Sequence, residues 1–361
     1  MRPHRVYALL LLAIVLAYGA PGRAAPDADP DDESGHQVAQ VGISRSVLNA
    51  VDEGEAASDA DAGILNRFRQ SSVLMRTMAR VVAFDRSAEL TWNPTVSEYV
   101  DISPRYWLTK ESSIGIGVNF QHEFTQDDST TYRNETLWGD FRAGYSIASV
   151  AHIPGIDVDI SASFGLTLPL SKWSQAAGLI ATVTPGIQFS RTFEDILGGL
   201  TIGYSVSFTK LFHRYTTAVN ESPHILGCVP GGDTNCDSFT NTGSRNSSYR
   251  LGHGLSISLS LAPWCSVSTD VLAYVSWLYG SVEDDRISLT PQTPTNTRHA
   301  LYVDLGATFI PWPPMSLRIG LNTFAPQLAP DSSRYTPGLN TFTNLYFDIR
   351  FDVAGVIRAL R

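Results

Sequence analysis

The stretch IDVDISASFGLTLPL, Ile156 to Leu170, decides the fold. One parity reads Ile156, Val158, Ile160, Ala162, Phe164, Leu166, Leu168 and Leu170. The other reads Asp157, Asp159, Ser161, Ser163, Gly165, Thr167 and Pro169. Successive side chains of a strand point to opposite faces, so this ribbon is oily on one side and wet on the other.

The pattern recurs. In Leu200 to Phe212 an apolar set (Leu200, Ile202, Tyr204, Val206, Phe208, Phe212) opposes Thr201, Gly203, Ser205, Ser207 and Thr209. In Tyr249 to Leu261, Leu251, Leu255, Ile257, Leu259 and Leu261 oppose Arg250, Gly252, Gly254, Ser256, Ser258 and Ser260. Similar ribbons cover Glu98 to Leu108, Ile114 to Phe124, Leu137 to Ile147, Leu179 to Phe193, Val267 to Tyr279, Leu301 to Phe309, Met315 to Thr323 and Thr341 to Val353.

A soluble sandwich also alternates, but its outer face meets bulk water and carries many Lys and Glu. Here the polar parity is Gly, Ser and Thr with isolated Asp or Arg. Charged residues are 17% of the chain, and Lys110, Lys172 and Lys210 are its only lysines. Such a face suits an enclosed lumen. The ribbons also match the roughly 9 to 11 residues with which a tilted strand crosses a bilayer, and exceed the roughly five or six typical of soluble sheets.

The linkers broadly alternate short (Thr109 to Ser113, Glu194 to Gly199, Pro263 to Ser266, Ile310 to Pro314) with long (Thr125 to Glu135, His213 to Ser248, Gly280 to Arg298, Phe324 to Asn340). Outer-membrane barrels have short periplasmic turns and long extracellular loops, which orients the chain. The expected fold is therefore all-β, a closed antiparallel transmembrane β-barrel of about twelve strands. Eleven ribbons are clear. A twelfth, ascending strand is expected in Val81 to Asn93, where Val82, Phe84, Ala88, Leu90 and Trp92 share a parity interrupted by Arg86. In the alternative, Ile64 to Phe84 forms a helix, periplasmic or luminal, through Leu65, Phe68, Met75 and Met78. Aromatic girdles are expected at both interfaces, from Trp107, Phe193, Trp264 and Trp312 at the periplasmic ends and Phe124, Phe212, Tyr249 and Tyr279 at the outer ends.

Upstream, Met1 to Arg5 is short and basic and Val6 to Tyr18 is apolar, with Gly22 and Ala24 placed for cleavage. Residues 1–24 read as a secretory signal, too short for the roughly 20 residues of a spanning helix. From Asp27 to Asp61 ten acids face the single base Arg45. Residues 25–63 thus read as an acidic, disordered periplasmic linker, 64–80 as a short helix, and 81–361 as the barrel. The formal net charge of −9 disfavours nucleic acid as a partner.

By this pattern, from about Val81 to Val353, the chain resembles the bacterial outer-membrane β-barrel proteins, without matching a named subfamily. The class commonly ends in an aromatic strand read by the insertion machinery. Leu345, Phe347, Ile349, Phe351 and Val353 look like that strand, but the chain runs on to Arg361 without a terminal Phe or Trp. The resemblance implies residence in an outer membrane, with its lipid, lipopolysaccharide and insertion machinery as partners.

The favoured function is a narrow channel or transporter for small hydrophilic solutes. Gly115, Gly117, Asn119, Gly144, Ser146, Ser161, Ser163, Gly252, Gly254, Ser256, Ser258 and Gly306 are expected to leave room for water. Asp140, Arg142, Asp157, Asp159, Arg250, Asp270, Asp304, Arg318, Asp348 and Arg350 are expected to line the lumen and tune selectivity. The competing outcome is that these charges pair across strands and close it. No catalytic, cofactor or metal constellation is expected. His122 and His253 face outward near the outer rim, and a lipid hydrolase would need a nucleophile beside one of them. A recognition role would rest on the His213 to Ser248 loop, where Cys228 and Cys236 are expected to pair in an oxidising compartment, or on Glu283, Asp284 and Asp285.

Overall fold

The computed structural model describes residues 60–84, 94–125, 130, 133–220, 240–280, 296–327 and 333–360. The signal, nearly all of the acidic linker, Cys228, Cys236 and Glu283 to Asp285 lie outside the described residues.

Twelve antiparallel strands close into a barrel. They are β1 Ser72–Arg80, β2 Val96–Ser103 continued by Arg105–Trp107, β3 Ser112–Glu123, β4 Glu135–Trp138 continued by Phe141–Ile153, β5 Val158–Leu168 and β6 Leu179–Phe193. There follow β7 Leu200–His213, β8 Ser247–Ala262, β9 Cys265–Leu278, β10 Thr297–Trp312, β11 Met315–Pro326 and β12 Thr343–Asp352. Each strand pairs with its sequence neighbours, and β1 pairs with β12 from Ser72↔Asp352 to Arg80↔Asn344. Closure leaves the barrel wall no unpaired edge.

The strand count agrees with the sequence reading, but the first strand lies elsewhere. It is Ser72–Arg80, ahead of the expected Val81 to Asn93, and the helix in this region, α1, is Ala60–Arg67. Val81–Ala83 is a single 3-10 turn. The barrel thus begins at Ser72 rather than residue 81.

Parity sorts the wall. Ile116, Phe164, Ile187, Leu305, Ile319 and Phe347 point outward and are exposed, Ile319 at 58%. A water-soluble protein rarely displays a continuous apolar belt of this kind, which burial in lipid would stabilise by roughly 25 cal/mol per Å². Short turns such as Pro313 to Pro314 join strands at one end and longer connections at the other. Trp264 and Trp312 are exposed at the short-turn end, and Phe124, Trp138, Phe212, Tyr249 and Trp277 at the long-loop end. Trp107 departs from the expected girdle. It is buried, its indole Nε1 donates to the Arg69 carbonyl at 3.0 Å, and the Arg69 guanidinium lies 3.8 Å from its ring.

Outside the barrel wall, Thr217–Asn220 and Thr240–Arg245 pair antiparallel as a separate two-stranded sheet in the connection after β7, and two further short helices are present. Helix α2, Lys172–Ala176, lies in the β5–β6 connection with Ser171 as N-cap. Helix α3, Val353–Leu360, follows β12 and meets α1 through Arg358 Nη2 donating to Asn66 Oδ1 at 2.7 Å. No helix among the described residues is long and apolar enough to cross a membrane.

Candidate functional site: the barrel interior

The inward charges assemble into an arc at mid-barrel. Arg142 on β4 reaches over β3 to Asp101 on β2. Gly117 makes the reach possible, since a Cβ there would sit 3.0 Å from Arg142 Nη2. Asp101 also accepts from Ser103 Oγ and, at 3.4 Å, from the Tyr99 hydroxyl. Next, Arg76 on β1 grips Asp348 on β12 through two parallel bonds, Nε to Oδ1 at 2.7 Å and Nη2 to Oδ2 at 2.8 Å. This fork geometry is the strong form of the pairing, and here it bridges the seam between first and last strands. Arg76 also lies 4.3 Å from the Tyr346 ring centre.

Arg318 on β11 repeats the device of Arg142. It pairs with Asp304 on β10 and passes across that strand to donate from Nη1 to Ser268 Oγ on β9 at 2.6 Å. Its Nε donates to the Tyr346 hydroxyl at 2.7 Å, and that hydroxyl donates to Asp304 Oδ1 at 3.1 Å. A Cβ on Gly306 would lie 2.7 Å from Arg318 Nε, and one on Gly320 would lie 2.6 Å from the Tyr346 hydroxyl oxygen. These two glycines, cross-strand partners, are seats for the guanidinium and the phenol.

Towards the long-loop end the same wall is filled by Leu272, Tyr274 and Tyr302, all buried, with Ala300 and Phe324 packed against them. The Tyr274 and Phe324 rings meet edge to face at 5.9 Å. Cβ atoms on Gly252 and Gly254 would strike Tyr274 and Leu272 at 2.9 and 2.7 Å. The expectation that Gly117, Gly252, Gly254 and Gly306 leave room for water is therefore corrected, because that room is taken by large side chains.

The opposite wall differs. On β4 to β7 the inward residues Gly144, Ser146, Ser161, Ser163, Gly165, Thr167, Thr184, Gly186, Gln188, Ser190, Ser205 and Ser207 are small or polar and not buried, whereas Thr182, Gly203, Thr209 and Leu211 on the same face are buried. Ser163 is exposed although it faces the interior. Thr184 and Thr209 hydroxyls meet at 3.1 Å. One side of the interior is packed by large side chains, and the other is lined mainly by glycines and short hydroxyl side chains.

The remaining sequence candidates scatter. Asp140 accepts from Leu170 and Ser171 amides at 3.0 and 2.8 Å and from the Ser174 hydroxyl at 2.5 Å, so it fastens α2 to the barrel mouth. Beside it, Lys172 bridges both oxygens of the buried Glu135 at 3.0 and 3.1 Å. Asp157 does not face the lumen. It occupies the β4–β5 turn at φ 53° and is well exposed. Asp159 stands at the short-turn rim, 2.9 Å from His152 Nδ1. Arg250 donates to Ser276 Oγ at 3.1 Å and Arg350 to Ser72 Oγ at 3.3 Å. Sequence reasoning missed Arg76, whose strand was expected elsewhere, and Asp101, although the ribbon that carries it, Glu98 to Leu108, was recognised.

His122 Nδ1 is 2.9 Å from the Thr136 hydroxyl and His253 Nδ1 is 3.4 Å from the Tyr204 hydroxyl, both on the outer face. No set of three or more metal-ligating side chains occurs among the described residues.

A closed antiparallel barrel, oily outside and polar within, defines a transmembrane β-barrel. No family model and no curated protein matches it. Solved structures to which it is similar include an outer-membrane channel from Pseudomonas putida F1, at 9% identity and TM-score 0.46, covering 82% of this chain and 99% of that one. A structure of the NanC porin matches at 7% identity and TM-score 0.40, covering 78% and 98%. LpxR from Salmonella typhimurium matches at 9% identity and TM-score 0.36, covering 78% and 100%.

Proposed function

We propose that the barrel is a narrow channel for small hydrophilic solutes, with the conduit running down the β4 to β7 wall. The carrying observation is the asymmetry of the interior. Large side chains on β8 to β12 and β1 bury one another, whereas the inner face of β4 to β7 carries mainly small Gly, Ser and Thr, most of them partly exposed. Hydroxyls and backbone edges offer water and small polar solutes replaceable hydrogen bonds without a deep binding well, which suits passage. In this reading the export signal delivers the chain, the short turns face the periplasm, and the long loops meet lipopolysaccharide. Asp140 and Lys172 hold α2 at the outer mouth. A lipid hydrolase is disfavoured, because the hydrogen-bond partners of His122 and His253 are hydroxyls and neither ring is bonded to a carboxylate among the described residues.

Planar-bilayer recording of purified protein tests the proposal. Discrete opening steps are expected, and Ser163→Trp should lower the step size severalfold by filling the bare wall. Absence of steps in the parent protein would refute conduction. An unchanged step size in a folded Ser163→Trp variant would refute the location.

A further inference from the structure

Read around the barrel, the mid-level arc alternates in sign: Arg142, Asp101, Arg76, Asp348, Arg318, Asp304. Each of the three arginines has its own carboxylate. The next inward charge breaks the alternation. Asp270 on β9 has Asp304 as its cross-strand neighbour on β10 and Ser256 on β8. It is 3% exposed, and its Oδ1 has no hydrogen-bond partner among the described residues. The charged groups on its side are Asp304 and Arg318, and the Arg318 guanidinium already serves Asp304, Tyr346 and Ser268. Beyond Asp270 the interior holds the buried Ser256 and Gly203, with the half-buried Ser258 beside them, and then the hydroxyl wall. One carboxylate is thus left over where the packed half meets the bare half.

We infer that Asp270 makes this channel cation-selective, drawing a small monovalent cation such as K⁺ to the boundary between the arc and the hydroxyl wall. A buried carboxylate without a matched cation is costly, and a mobile cation is the partner a water-filled conduit can supply. An anion passing the same level meets a surplus negative charge in a medium of lower dielectric than water, which repels it. The inference rests on the proposed conduction.

The test is the reversal potential of the purified full-length protein across a KCl gradient. The parent channel should favour K⁺ over Cl⁻ severalfold. Asp270→Asn should bring the ratio close to one while retaining opening steps and heat-modifiable mobility. Asp159→Asn, at the solvated rim where salt screens it, should leave the ratio nearly unchanged. Should the Asn variant fail to close, Ser258→Lys provides a second route. That position lies diagonal to Asp270 on the adjacent strand, within reach of a long side chain, and the added ammonium should lower the ratio in the same way. Conduction without cation preference in the parent, or an undiminished preference in either folded variant, overturns the role of Asp270. Absence of conduction in the parent overturns the channel proposal instead.

Discussion

The pair Arg76–Asp348 offers the sharpest test of how the barrel is held shut. Its two bonds of 2.7 and 2.8 Å cross the seam at which the first and last strands pair, and the two side chains are 12% and 7% exposed. Asp348→Ala leaves the Arg76 guanidinium buried and unmatched. Breaking a buried pair from one side costs about 3–5 kcal/mol. The Tyr346 ring remains 4.3 Å from the guanidinium, a cation–π contact of about 0.5–2 kcal/mol that keeps the loss near the lower bound. About 3 kcal/mol is therefore expected.

Replacing both partners by apolar side chains, Arg76→Met with Asp348→Leu, removes the charge together with its demand and should cost no more than about 1 kcal/mol. The assay is urea unfolding from lipid vesicles, followed by tryptophan fluorescence and by the heat-dependent gel shift. Two results would refute the reasoning. One is a loss under about 1 kcal/mol for Asp348→Ala, and the other is a double variant as damaged as the sum of its single changes.

Three further outcomes are expected. Gly320→Ala should destabilise by roughly 1–3 kcal/mol because its methyl meets the Tyr346 hydroxyl at 2.6 Å, whereas Gly155→Ala, with nothing within 4 Å, should be silent in the same unfolding assay. Ile319→Arg, on the lipid face, should cost about 2–4 kcal/mol. Ser163→Arg, on the bare wall, should stay within roughly 0.5 kcal/mol, and equal costs would invert the assigned faces. Asp140→Ala should speed hydrogen exchange of the Leu170 and Ser171 amides by more than tenfold, because the carboxylate accepts from both.

Strand existence was legible because lipid and lumen impose opposite chemistries on alternate residues. Ile156 to Leu170 therefore announces a strand that the structure places at Val158–Leu168. The first strand escaped for a related reason. In SVLMRTMAR the inward set is Leu74, Arg76, Met78 and Arg80, and the outward set is Val73, Met75, Thr77 and Ala79. Apolar residues occupy both parities, because the inward ones pack in the filled half of the barrel. Alternation vanishes there, and Leu65, Phe68, Met75 and Met78 take on an accidental helical spacing. Asp157 was misplaced by a turn that ends two residues later than the alternation suggests, with positive φ at the aspartate itself.

Glycine on the inner face carries two meanings that composition does not separate. Gly117 and Gly306 each lie on a strand that an arginine must cross to reach a partner two strands away, and a methyl at either would push the guanidinium off its partners. Gly144, Gly165 and Gly186 lie instead beside short hydroxyl side chains, where no long side chain spans them. A barrel of twelve strands falls between those that one layer of side chains fills and those wide enough for an open aqueous pore. Long paired charges and aromatic rings on one side, set over glycines, consume half of that width. The residues opposite need only remain small for a conduit to persist, and its charge is then set by the one carboxylate that the paired arc leaves over.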